Sequence, residues 1–308
     1  MKPAADSMPL CFLLPAYWPT WLLLGFLRLV ILFPLPVIHA TGAGIGKLLY
    51  RLSGSRRRVT HINIRQACPD YSDEQVDALA RAAFVSLGIS LFEMALAWWA
   101  RRDYLRAHCR LNGFEHIEQA QQEGRPILLL TGHFTALDLG GILLAMYMPL
   151  QAVYKRAHNP LFNYFMHKYR NKHLVHAYPN TATRAFMKNL KNGLATWYAP
   201  DQDFAQHDIV FTPFLGGMAS TLTATARMAQ MANAVTIPFY PKRLPHGSGY
   251  ELVILPPLEN FPAGDPRQDA ARVNQVIEQM VRANPEQYAW FHKRFKNQPD
   301  GRPSIYTE

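Results

Sequence analysis

Three cysteines, Cys11, Cys68 and Cys109, are all that the 308 residues contain. Their odd number and the lack of any CxxC pair argue against a disulfide framework and a thiolate zinc site, and point to a reducing compartment. Missing too is GxSxG, the turn that presents a hydrolase serine. The glycine-rich stretch GAGIGK at 42–47 lacks what a phosphate loop needs: Thr41 stands where the first glycine belongs, and Leu48 where the hydroxyl belongs. It reads instead as a bend between amphipathic helices. The 12 histidines, His167 and His173 among them, offer no zinc spacing with a third ligand, so no metal and no cofactor is expected. Acidic residues are scarce, 22 Asp and Glu against 32 Lys and Arg, for a net charge of +10 and a pI near 9.6. That balance calls for an anionic partner such as a membrane surface, an acidic substrate or an acidic protein. The basic residues are scattered among bulky apolar ones and no nucleic-acid motif accompanies them, so nothing points to RNA or DNA. Repeats and low-complexity segments are absent, and a hydrophobic content of 49% excludes disorder.

What is present is most lopsided at the start. WPTWLLLGFLRLVILF, residues 18–33, carries one charge, Arg28. As a helix it would extend about 24 Å, a little short of the roughly 30 Å hydrocarbon core of a bilayer. Pro34 and Pro36 end it, and Trp18 and Trp21 open it like an interfacial belt. No small-residue cleavage site follows, so a membrane anchor, spanning or steeply embedded, is expected over residues 1–46. The basic flank Lys47, Arg51, Arg56, Arg57, Arg58 and Arg65 predicts a cytoplasmic body over residues 47–308 by the positive-inside rule. A buried core helix is the alternative.

Ser72 with Gln75 forms a capping box, and a long helical pattern runs from there to about Trp99. From residue 108 the rhythm changes. Short β-rich runs, RPILLLT, AVY, LVHAY, LATWYA, AVTIPFYP and YELVILP, alternate with helical patterns at 134–147, 160–172, 181–192 and 219–232. Such alternation predicts an α/β fold with a mixed, mainly parallel sheet flanked by helices. PKRLPHGSG joins the last two runs, which predicts an antiparallel pair, and a final helix is expected over 266–283.

The stretch LLLTGHFTALDLGG, 128–141, puts a histidine and an aspartate where a buried strand turns into a helix. Positions five apart lie about 140° around a helix, so His133 and Asp138 meet only if the histidine sits in the loop or first turn. Gly132 permits the close approach. An aspartate bonded to one ring nitrogen fixes the tautomer and leaves the other nitrogen as a base. With no serine or cysteine nucleophile nearby, a hydroxyl brought by the substrate would attack, which suits direct group transfer to an alcohol. A structural histidine with a helix-capping aspartate explains the same spacing. Asp201 and Asp203 in APDQD read as loop residues shaping an acceptor site, since DxD alone is weak evidence for a metal. Arg184, Lys188, Lys191, Lys242 and Arg243 offer positive charge to phosphates or to an acidic protein, or form a solvated face.

HxxxxD after a buried strand resembles the first block of the glycerolipid-type acyltransferase superfamily. VYKRAHNP at 153, WYAPDQD at 197, IPFYPKR at 237 and PEQYAWFHKRFK at 285 resemble the late acyltransferases of lipid A biosynthesis, the lauroyl or myristoyl type. The resemblance covers nearly the whole chain, and PTWLLLGFLRLV matches that family's membrane anchor. It implies transfer of a fatty acyl chain, lauroyl in the first instance, from acyl carrier protein to a hydroxyl of a lipid A precursor. The setting it implies is the cytoplasmic face of a bacterial inner membrane, among membrane lipids. His133 would be the general base and Asp138 its orienting partner, with amides at the first helix's N-terminus facing the thioester oxygen. Where that family usually shows arginine, this chain has Lys155 followed by Arg156, and either would hold a phosphate or steady the thioester. The aromatic–basic block at 285 suits an interfacial or core-edge helix. Another hydroxylated acceptor, such as a phosphatidylinositol mannoside, or a lipid-binding protein without turnover, remain the alternatives.

Overall fold

Nine strands and eleven α-helices occupy the described residues, 8–205 and 208–306, of the computed structural model. The strands are β1 (Cys109–Asn112), β2 (Ile127–Leu130), β3 (Leu150–Tyr154), β4 (His176–Pro179), β5 (Ala195–Tyr198), β6 (Ile209–Phe214), β7 (Gly217–Leu222), β8 (Val235–Arg243) and β9 (Tyr250–Ile254). The first four helices are α1 (Trp18–Val30), α2 (Leu35–Leu52), α3 (Gly54–Ala67) and α4 (Asp73–Trp99). The rest are α5 (Arg102–Ala107), α6 (Glu115–Gln122), α7 (Leu137–Leu144), α8 (Pro160–His173), α9 (Thr183–Lys191), α10 (Ala224–Ala232) and α11 (Pro266–Ala283).

Seven strands form one sheet in the order β1-β9-β8-β2-β5-β3-β4. Only β8 and β9 run antiparallel; the other neighbours are parallel. The fold is therefore α/β with a mixed, mainly parallel sheet, and the expected antiparallel last pair is present. β2 lies at its centre with every residue buried, because helices cover both faces. Its side chains alternate. Ile127 and Leu129 join the core that holds Leu24, Leu27, Phe92 and Leu96, while Leu128 packs with Phe186, Leu190 and Ala229 on the other side.

One expected helix is partly a strand. Residues 217–222 pair with β6 as an antiparallel hairpin, and α10 begins only at Ala224. Gly216, at φ 77°, makes the turn. Asn274 Nδ2 of α11 then donates to Thr212 Oγ1 at 2.8 Å and to Thr221 Oγ1 at 2.9 Å, which fixes the hairpin's inner face.

The capping box at Ser72 and Gln75 is formed, and α4 runs 27 residues through the body. GAGIGK does not bend; it lies within α2. Its glycines make the α2–α4 contact. A Cβ on Gly88 of α4 would fall 2.2 Å from the Gly42 carbonyl oxygen and 2.4 Å from the Gly46 nitrogen. Gly88→Ala is therefore expected to lower stability by about 1–3 kcal/mol through overpacking, despite alanine's better helix propensity. Gly44, with nothing within 4 Å of its would-be Cβ, is the control: Gly44→Ala should hold or raise the melting temperature. Thermal unfolding of the two variants checks this, and a Gly88→Ala protein melting with the wild type would contradict it.

The N-terminal run differs from a span. α1 has 13 residues, about 20 Å at 1.5 Å per residue, against a hydrocarbon core of roughly 30 Å. Leu24, Leu27 and Val30 are buried against the body, while Leu22, Leu29 and Leu32 stand 75%, 62% and 69% exposed. Among the described residues the one helix long and apolar enough to cross a membrane is α4, and 56% of its apolar window is buried, as in a core helix. The first seven residues of the 1–46 segment lie outside the described residues.

Candidate active site

β2 and β5 are parallel neighbours, with Leu130 opposite Tyr198. Parallel strands deliver their carboxyl ends to one edge of the sheet. Three residues beyond that pair, the two chains bring His133 and Asp201 together. His133 Nδ1 lies 2.5 Å from Asp201 Oδ1, and the His133 backbone N–H donates to Oδ2 at 2.8 Å. The Tyr288 hydroxyl donates to Oδ2 as well, at 2.9 Å. The carboxylate only accepts, so Nδ1 carries the proton and Nε2 keeps the lone pair. The His133 side chain is 25% exposed and that of Asp201 is 1% exposed. Gly132 suits the crowding, since a Cβ there would come 3.0 Å from Ile277 and 3.3 Å from Asp201.

Burial is the largest influence on the imidazole and pulls its proton affinity down. The charge and hydrogen bond of Asp201, helped by the charge of Asp138, overcome it, so the His133 pKa is raised. Burial likewise pushes Asp201 up, but His133 and its other donors hold the carboxyl at about 2. His292, with its ring centroid 5.7 Å from that of His133, is held at about 4 by burial and by the neighbouring imidazole.

Asp138 does not take the orienting position expected of it. It lies in the first turn of α7 and accepts from Arg170 Nη2 of α8 at 2.5 Å. The Nδ1 position is filled instead by Asp201, from the loop after β5 and 68 residues beyond His133. Arg170 Nη1 is buried without a hydrogen-bond partner among the described residues, and its guanidinium lies 5.0 Å from the Tyr154 ring. At the start of α7 the Thr135 amide already donates to the Gln287 carbonyl and the Leu137 amide to the Phe134 carbonyl.

Of the other expected site residues, Lys155 and Arg156 are exposed after β3. Arg156 lines a cavity of about 280 Å³ with Pro9, Phe12, Tyr154, Tyr164 and His167. Arg184 is exposed on α9. Asp203 does not face the imidazole; it accepts from the backbone N–H and side chain of Asn297 at 3.2 and 2.5 Å. Lys242 pairs with Glu251 at 3.9 Å, and Arg243 is buried on Glu93, which withdraws it from any phosphate. The 285 block is a single 3-10 turn, Pro285–Gln287, followed by irregular chain that crosses the His133 loop. Sequence reasoning missed Tyr288 and Arg170 as neighbours of the site. Both lie in stretches rich in aromatic and basic residues, and no spacing there marks which side chain turns inward.

The bacterial lipid A biosynthesis acyltransferase model matches residues 9–297, a span that holds His133, Asp201 and Tyr288. The chain belongs to that family. This acyltransferase is 38% identical to the lipid A biosynthesis lauroyltransferase of Escherichia coli (strain K12) over 294 residues, 95% of this chain and 96% of the relative. It is 31% identical to the palmitoleoyltransferase of the same organism over 296 residues, 96% of each chain. Identity to that organism's myristoyltransferase is 26% over 297 residues, 95% of this chain and 91% of the relative.

Proposed function

We propose that the protein transfers a fatty acyl chain from acyl carrier protein to a hydroxyl of a lipid A precursor, with His133 as general base. The observation that carries the reading is the half-open imidazole whose Nδ1 is tied to a buried carboxylate. Nε2 takes the acceptor hydroxyl's proton. The oxygen attacks the thioester carbonyl, the new C–O bond forms, the C–S bond breaks, and the imidazolium returns its proton to the departing sulfur. Arg170, held by Asp138, supplies positive charge that steadies the oxygen that gains charge. The cavity beside Tyr154 suits the acceptor, with Arg156 at a phosphate. Identity of 38% to a lauroyltransferase, against 31% and 26% to the two other relatives, supports a lauroyl donor.

The face formed by Leu10, Leu13, Trp18, Leu22, Leu29 and Leu32 suits contact with membrane lipids along the bilayer plane, with the body on the cytoplasmic side of a bacterial inner membrane. Purified protein, acyl carrier protein loaded with lauroyl, and the precursor should together release thiol and yield a precursor heavier by one acyl group. Thiol release without that product, or transfer only to another hydroxylated lipid, would end this reading.

The raised His133 pKa sets the pH dependence. Protonation removes the base, so kcat/KM is expected to fall as pH drops through a value above about 6.5, the ordinary histidine pKa. A rate profile flat from pH 8 down to about 6 would show that no such imidazole limits the reaction.

A further inference from the structure

The loop that carries His133 is clasped by the C-terminal segment. The Ala289 N–H donates to the His133 carbonyl at 3.0 Å, and the Thr135 N–H donates to the Gln287 carbonyl at 2.8 Å. Between them Phe134 and Tyr288 form an antiparallel bridge. Gln287 is itself fixed, accepting from the Arg243 N–H at 2.8 Å and donating to the Arg243 carbonyl at 3.0 Å. Tyr288 is 5% exposed, with its ring against Phe134 and Trp290. Its hydroxyl has one acceptor among the described residues, Asp201 Oδ2. The same oxygen receives the His133 amide, and Oδ1 faces Nδ1.

We infer that Tyr288 is a positioning residue that sets the basicity of His133 through the shared carboxylate. The inference rests on the reading of His133 as the base. A phenol donating to Oδ2 draws charge from the carboxylate, and a carboxylate with less free charge stabilises the imidazolium less. The hydroxyl thus leaves more of the imidazole neutral at a given pH than Asp201 alone would. Burial keeps the phenol protonated, because its pKa is pushed well above the ordinary tyrosine value and the charge of Asp201 adds to this. The other groups felt by the imidazole are Asp138, Arg294 and the neutral His292, with Arg56 near His292. Those beside Asp201 are Tyr198 and Arg294, the latter also near Asp203. None of these donates a hydrogen bond to Oδ2, so the hydroxyl is the handle.

Tyr288→Phe keeps the ring and removes the donor. The His133 titration, followed by nitrogen-15 NMR with His133→Gln assigning the signal, is expected to move up by about half a unit to one unit. The acidic limb of kcat/KM should follow it, with KM little changed. Site-specific 3-fluorotyrosine at 288, a stronger donor, should move both the other way. A purely structural role would lower the melting temperature and leave the titration where it was. A folded Tyr288→Phe protein with an unmoved His133 titration overturns the inference. If that variant does not fold, the fluorotyrosine protein decides: a downward shift supports the inference, and none overturns it. The NMR titration needs no turnover, so a protein that shows the shift but transfers no acyl group would reject the reading of the reaction and keep the coupling.

Discussion

Asp201→Asn is expected to leave a folded protein and to lower kcat by about 1,000- to 10,000-fold, the scale of a base held in the wrong tautomer. The asparagine nitrogen would donate to Nδ1 and drive the ring proton onto Nε2, where the lone pair is needed. His133→Ala should lose a comparable factor, and the double variant should be little worse than either single one, because the two groups act as a unit. Asp138→Asn tests a different contact. It loosens Arg170 and leaves Nδ1 on Asp201, so the His133 tautomer read by nitrogen-15 NMR should be unchanged. Single-turnover rates with a carrier-bound acyl donor measure these losses. Near-normal turnover by Asp201→Asn would remove the carboxylate from the mechanism.

Glu93→Ala is expected to cost about 3–5 kcal/mol of stability, since it leaves an unpaired buried guanidinium. Glu93 Oε1 and Oε2 each receive an Arg243 nitrogen at 2.6 Å, with the side chains 1% and 7% exposed. Arg243 Nη1 also donates to Ser86 Oγ at 2.8 Å, and that hydroxyl lies 2.6 Å from Thr135 Oγ1, two residues beyond His133. The network thus ties α4, β8 and the loop that carries His133 together. Equilibrium denaturation in urea would measure the loss. The double change Glu93→Met with Arg243→Leu should recover much of it, because no charge is then stranded. A Glu93→Ala protein as stable as the wild type would mean that water reaches Arg243.

Much of the frame was legible in the chain. The strand–helix alternation, the capped start of α4, the antiparallel β8–β9 pair and α11 at Pro266–Ala283 all match their sequence patterns. Each of these depends on short-range periodicity or local capping, which neighbouring residues carry. The misreadings involve distance along the chain. GAGIGK looked like a bend because glycine weakens a helix, yet Gly42 and Gly46 are there to admit Gly88 of another helix. In the run 18–33, Leu24, Leu27 and Val30 pack onto the body, a contact that no local pattern marks. Arg243 looked like surface charge, and its partner Glu93 lies 150 residues away.

By itself the sequence determined that a histidine would stand at the end of a buried strand beside a helix start, in a chain rich in basic and apolar residues. It did not determine which carboxylate that histidine would meet. Asp138 is near in sequence and turned aside by the helix; Asp201 is distant in sequence and adjacent in space. The parallel pairing of β2 with β5 made that choice, because register places residues equally far beyond paired positions at the same point on the sheet edge.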